Sequence, residues 1–285
     1  MSEDKLRIIA IFAHPDDAEV KMGGTAALWS EMGHSVKFVS LTNGDAGHHE
    51  KGGGELAKIR HKEAQEAKNR LGIDEYSILN NHDAELLPKL HIRHQVIREI
   101  RDWKADLVIG LRPNDYHPDH RYAGILVMDA AYLVIVPNVV PDEEPLKKNP
   151  VFLYMQDPFQ KPNPFNPDIT IDITKTFSKK IDAMDAHKSQ FYEWLPWTQG
   201  LLEHVPDDSD DKKRWLAEWL NNWLGQDNQI PSEFMNSLRK WYGNEEKINR
   251  LSFSKIEAFE IAEYGHQPTD DEIGRLFPML NKERK

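Results

Sequence analysis

An α/β fold with a mostly parallel sheet is predicted by three features of this 285-residue sequence. Short apolar, β-rich runs alternate with longer stretches of helical period, as in successive βαβ units. Glycines stand where those helices should stop. Two motifs dense in His and Asp directly follow apolar runs, at the ends of expected strands.

Residues 6–13 are continuously apolar, which suits a strand buried on both faces. The spacing turns helical over 22–32 and stops at Gly33, and Gly23-Gly24 suits close packing of that helix on the sheet. A second strand over 35–41 runs into the turn Thr42-Asn43-Gly44-Asp45 and a glycine-rich loop over 47–54. A helix over 55–71 ends at Gly72, a third strand covers 76–79, and a polar loop follows at 80–83. A helix over 88–103, a fourth strand over 106–111 and a helix over 122–136 complete the alternation.

The common order 3-2-1-4 for such a Rossmann-like sheet makes the first and fourth strands neighbours, with the ligand crevice beyond their carboxyl ends. After Pro137 come a proline-rich charged stretch over 141–150 and further strands over 151–155 and 169–173. Prolines rule out a helix over 158–167. A helix is expected over 174–191, and a mostly helical extension from about 193 to 285. The whole chain, 1–285, reads as one domain with its core in about 5–192.

The net charge of −11, without a long basic run, disfavours nucleic acid and anionic membranes as partners. The absence of cysteine excludes disulfides, thiolate metal sites and a cysteine nucleophile, so any metal must use His, Asp or Glu. The first apolar run is too short for a leader core or a membrane span, so a soluble, cytoplasmic protein is expected. Neither G-x-G-x-x-G nor a Walker motif is present.

The chemistry concentrates in Ala13-His14-Pro15-Asp16-Asp17-Ala18-Glu19 and His117-Pro118-Asp119-His120. Either motif alone could be a capping turn. At adjacent strand ends they become one site. Pro15 keeps His14 extended, and the turn after it aims His14 and Asp17 at one ion, with His120 as third ligand from the neighbouring strand end. Two imidazoles and a carboxylate suit zinc and leave a position open for water; iron or cobalt would also fit. Asp16 falls beside the metal, the place for a base, and His117 faces the other side of a reacting carbonyl. Asp119 either orients His117 or stands outside the ligands. The inventory is that of a mononuclear metal hydrolase.

These two motifs resemble those of the LmbE-like, or PIG-L, deacetylases. The likeness extends through Gly33-His34-Ser35-Val36, Thr42-Asn43-Gly44-Asp45, Arg60-His61-Lys62-Glu63-Ala64, residues 168–174, Ala186-His187-Lys188-Ser189-Gln190-Phe191 and residues 257–265. It implies a zinc-dependent amidase of Rossmann-like fold acting on an N-acetylglucosaminyl compound, with one Zn2+ per subunit. It makes His14, Asp17 and His120 the ligands, Asp16 the general base, and His117 the group that stabilises the oxyanion or protonates the leaving amine. Arg60 then lies by the substrate. Asp83 corresponds to an aspartate that contacts sugar hydroxyls, although its Asn-His-Asp-Ala setting departs from the family's loop.

The rival readings are an amidase for thiol conjugates, a phosphoester hydrolase, and a non-catalytic sugar- or metal-binding protein. A phosphoester enzyme would more often carry two metals, and a pure binder has no need of Asp16. The expected partner is a small N-acetylated amino sugar, with self-association left open. Trp215, Trp219 and Trp223, four apart, read as a packing face, as do Trp194 and Trp197. His187 reads as an ordinary hydrogen-bonded histidine, and His48, His49, His61, His82, His91 and His94 as surface or packing residues.

Overall fold

The computed structural model describes residues 5–224, 232–251 and 254–282. Its first half follows the expected alternation: β1 (Arg7–Phe12), α1 (Asp17–Glu31), β2 (Ser35–Ser40), α2 (Gly53–Leu71), β3 (Glu75–Ile78), α3 (Leu90–Asp102), β4 (Leu107–Gly110) and α4 (Pro118–Leu133). Then come β5 (Val151–Met155), β6 (Ile169–Asp172), α5 (Phe177–Ala186), a π-helix (Ser189–Trp194) and α6 (Leu195–Thr198). The chain ends with α7 (Ser209–Leu224), α8 (Met235–Tyr242), α9 (Glu245–Leu251), β7 (Ile256–Gly265), α10 (Asp270–Leu276) and α11 (Met279–Lys282).

One seven-stranded sheet has the order β3-β2-β1-β4-β5-β7-β6. The pairings from β3 through β5 are parallel, and β7 is antiparallel to both its neighbours. Ile8, Ile9 and Ala10 of β1 lie opposite Leu107, Val108 and Ile109 of β4, all fully buried. Burial on both faces explains why these strands read as unbroken apolar runs.

Two helices begin earlier than the apolar spacing indicates. α1 starts at Asp17 rather than near residue 22, and α4 at Pro118 rather than near 122. Their first turns carry charged and imidazole side chains, so no apolar stripe announces them. Asp17 and Glu19 complement the positive amino end of α1, and Pro118 occupies the first position of α4, where its fixed φ fits.

The mostly helical extension is broken by β7, a ten-residue strand that returns to the sheet between β5 and β6. Its glutamates at 257, 260 and 263 recur every three residues, a helical spacing that hides a strand. Trp219 packs in a small second core with Phe191, Leu216 and Leu220, in line with the packing reading of the Trp stripe. The side chain of Trp223 lies outside the described residues.

A buried ionic knot ties β7 to α1 and α5. The Glu257 carboxylate accepts from the amides of Gly24 and Thr25 at 3.0 and 2.7 Å, from the Thr25 hydroxyl at 2.6 Å, and from Lys180 Nζ at 2.8 Å. Gly24 also lets Ile173 pack against α1, since a Cβ there would stand 2.7 Å from the Ile173 side chain. Removing one partner of a buried pair strands the other. Glu257→Ala is therefore expected to lower stability by about 3–5 kcal/mol in urea-induced unfolding, with Glu257→Gln losing less.

Candidate active site

The parallel pairing of β1 with β4 delivers both His/Asp motifs to one edge of the sheet. Asp17 is the first residue of α1, and His117 caps the amino end of α4, its Nδ1 accepting from the Asp119 amide at 3.2 Å. Two helix amino ends thus face one cluster, a setting that favours negative charge.

Within it, His14 Nδ1 lies 3.2 Å from His120 Nε2. The Asp17 carboxylate reaches both rings, at 3.7 Å from His14 Nδ1 and 3.3 Å from His120 Nε2. Tetrahedral ligands at 2.0–2.1 Å from one ion stand about 3.3 Å apart, which the spacing of the His14 and His120 nitrogens matches, with one Asp17 oxygen toward each ring. Nitrogens of His14, His117 and His120 also lie within 4.8 Å of one another, as do ligand atoms of His14, Asp83 and Asp119.

His14 is held from behind. Its Nε2 meets Asp119 Oδ2 at 3.2 Å and Asp83 Oδ1 at 3.0 Å, which turns Nδ1 toward Asp17 and His120. Asp119 is fully buried and accepts from the Ala84 and Leu86 amides at 2.7 and 3.2 Å. Its carboxylate therefore orients His14 and not His117. Asp115 makes an ion-pair contact of 3.1 Å with Nδ1 of the second imidazole, His120.

Asp16 stands apart from the imidazoles. Its Oδ2 is 3.2 Å from Arg60 Nη2, and its backbone sits at φ 132°, ψ −24°, a strained conformation worth roughly 1–3 kcal/mol. Arg60, expected by the substrate, is itself deeply buried. It is 2% exposed, donating to Pro15 O at 2.6 Å and Gly44 O at 3.3 Å, with Asp83 at 3.6 Å. Gly44, at φ +69°, makes room: a Cβ there would meet Arg60 at 2.6 Å. Asp83 is likewise buried, against His14 and Arg60, with its amide held by Asp45 at 3.0 Å.

The electrostatics follow from this packing. Burial pushes the Asp16 carboxyl up to about 6, against the pull of Arg60. Burial works against a charged His14, but hydrogen bonds to Asp119 and Asp83 and the charge of Asp17 raise it to about 10. Burial also opposes the charged form of His120, and Asp17 and Asp115 reverse this. His117 is held below its ordinary value by burial and by the neighbouring His14 and His120.

Aromatic side chains frame the site. Tyr116 is 73% exposed with its ring 5.8 Å from His117 and 6.2 Å from Phe159. The segment carrying Phe159 is strapped down by a bidentate Arg112–Asp157 pair at 2.6 Å. On the glycine-rich loop, His48 binds Glu193 at 2.8 Å, while His49 stacks on Trp197 and Trp197 on Trp194. These rings serve packing between loop and helix, and His187 is hydrogen-bonded to Glu19 at 3.0 Å.

Residues 9–131 match the family model described as PIG-L, GlcNAc-PI de-N-acetylase. The diacetylchitobiose deacetylase of Thermococcus kodakarensis is 30% identical over 206 residues, 68% of this chain and 74% of that protein. A probable N-acetyl-alpha-D-glucosaminyl L-malate deacetylase 2 of Bacillus cereus is 25% identical over 222 residues, 75% and 93% of the two chains. The solved structure of the N,N'-diacetylchitobiose deacetylase of Pyrococcus horikoshii superposes with a TM-score of 0.67 at 25% identity, covering 91% of this chain and 84% of its own. The 4-oxalmesaconate hydratase of Pseudomonas putida is also similar, 26% identical over 217 residues, 71% and 81% of the chains.

Asp119 aligns the ring that faces Asp17 and His120, so its loss should be felt in cation binding before it is felt in folding. Asp119→Asn is expected to weaken divalent-cation affinity about 10–100-fold in a calorimetric titration.

Proposed function

This chain belongs to the PIG-L family of de-N-acetylases, and we propose that it is a metal-dependent hydrolase that removes acetyl from an N-acetylglucosaminyl-type substrate, giving acetate and a free amine. The observation that carries this reading is Asp16: a half-buried carboxylate, pushed up to about 6, that pairs with Arg60 beside the imidazole cluster instead of joining it. His14, Asp17 and His120 would hold the cation. When bound, zinc, or iron(II) or cobalt(II) on the same donors, supplies Lewis acidity that polarises the acetamide carbonyl and eases deprotonation of the attacking water.

The chain's own residues do the rest. Asp16 takes the proton of the attacking water and later delivers it to the departing nitrogen, so the proton ends on the amine. The Asp119 amide donates to His117 Nδ1, which leaves the ring proton of a neutral His117 on Nε2. That tautomer donates to the developing oxyanion, which favours oxyanion stabilisation among the two roles open to His117. Arg60 acts beneath the site by holding Asp16 and the Pro15 carbonyl, and Asp83 contributes from the same floor.

No helix among the described residues is long and apolar enough to cross a membrane. With the net charge of −11, this accords with a cytoplasmic enzyme acting on a small solute. The similarity to a hydratase favours one second reading, addition of water to a double bond through the same base.

Metal-stripped protein should release acetate from diacetylchitobiose or another N-acetylglucosaminyl compound only after zinc is restored. Asp16→Asn is expected to lower kcat about 10²–10⁴-fold with zinc stoichiometry intact. Turnover of an unsaturated acid without acetate release would favour the hydratase reading instead.

A further inference from the structure

We propose that Tyr76 and Glu19 are positioning residues that lock the backbone of Asp16 in its inverted turn and so aim its carboxylate, a role that rests on Asp16 serving as the base. The Asp16 amide donates to the Tyr76 hydroxyl at 3.2 Å. That hydroxyl donates to Glu19 Oε2 at 3.3 Å, and the other Glu19 oxygen meets His187 Nε2 at 3.0 Å. Glu19 and His187 are fully buried, and Tyr76 is 5% exposed.

Three observations give this chain of groups a purpose beyond packing. At φ 132°, Asp16 adopts a conformation that residues with a Cβ rarely take, so something outside the turn must hold it. The other polar groups of the turn are committed elsewhere: the His14 amide to Asp17, the Pro15 carbonyl to Arg60, and the Asp16 carbonyl to the Val20 amide of α1. Finally, burying a carboxylate, an imidazole and a phenol together is costly, and apolar side chains would fill the volume more cheaply. The polar chain ends at the Asp16 amide, on the backbone held at φ 132°.

Tyr76 is built for the task. It sits on β3, two strands away from β1, and its ring is wedged edge-on against Phe12 at 5.9 Å and Phe38 at 5.7 Å. Aromatic packing fixes where the hydroxyl lies, and the hydroxyl fixes the Asp16 amide. Arg60 restrains the side-chain end of Asp16, and Tyr76 the main-chain end.

Tyr76→Phe keeps the ring and removes only the hydroxyl. With zinc-loaded protein and diacetylchitobiose, it is expected to lower kcat about 10–100-fold while KM and zinc stoichiometry stay at wild-type values. Glu19→Gln, which keeps an acceptor for the hydroxyl, should lose less than Tyr76→Phe. In parallel, amide hydrogen exchange by NMR should show protection of the Asp16 amide falling at least tenfold in Tyr76→Phe, with β1 amides unchanged. A kcat within twofold of wild type, an Asp16 amide as protected as before, or KM and metal content failing together with kcat would each overturn the proposal. Wild-type protein that releases no acetate would instead overturn the deacetylase reading, while the exchange measurement still decides whether Tyr76 holds the turn.

Discussion

The pairing of β1 with β4 is the constraint on which the site depends. About a hundred residues separate the two His/Asp motifs, and only the parallel register of Ile8 to Ala10 against Leu107 to Ile109 makes them one cluster. Each strand then hands over to a helix, so His14 sits on a short connection and Asp17 and His120 in the first turns of α1 and α4. The same placement offsets the electrostatic cost of the cluster. Asp16, Asp17, Asp83, Asp115 and Asp119 gather where water is scarce, and three imidazoles, Arg60 and two helix amino ends oppose their mutual repulsion.

Preorganisation extends outward in layers. Asp119 fixes the His14 ring, Asp115 lies in ion-pair contact with His120, and the amides of Ala84 and Leu86 fix Asp119. Arg60 crosses beneath the floor and binds Pro15, Gly44, Asp16 and Asp83 at once. A site held this way loses little to reorganisation when charge develops during reaction, which is where enzymes gain most. The strained peptide at Asp16 belongs to the same economy: it is tolerated because its surroundings over-determine it.

Much of this was legible in the sequence, for identifiable reasons. The strand order and the meeting of His14, Asp17 and His120 follow from buried, uniformly apolar strands and from local spacing, both of which the sequence displays directly. What escaped it depends on partners distant in sequence. The Asp119 carboxylate turned out to serve His14, a choice made by the loop at 84–86. Arg60 was expected by the substrate, and its burial under Asp16 depends on the space that the glycine at 44 leaves. Asp115 and Tyr76 carry no motif of their own for these contacts, and Glu19 closes the first motif without showing its partners, Tyr76 and His187. β7 was hidden because glutamates three apart imitate a helix, although Glu257 is spent in the buried knot with Lys180.

The position of β7 also sets an order of events during synthesis. The five parallel strands that carry both motifs are complete once residue 155 has been made. Among the described residues, however, β6 has its sheet neighbour only in β7, which is finished roughly ninety residues later. At ribosomal rates of about 5–20 residues per second, that delay is on the order of 5–20 s. Throughout it, the exposed flank of β5 and the unpaired β6 are open strand edges, which makes the nascent chain rather than the finished enzyme the form most in need of chaperone cover.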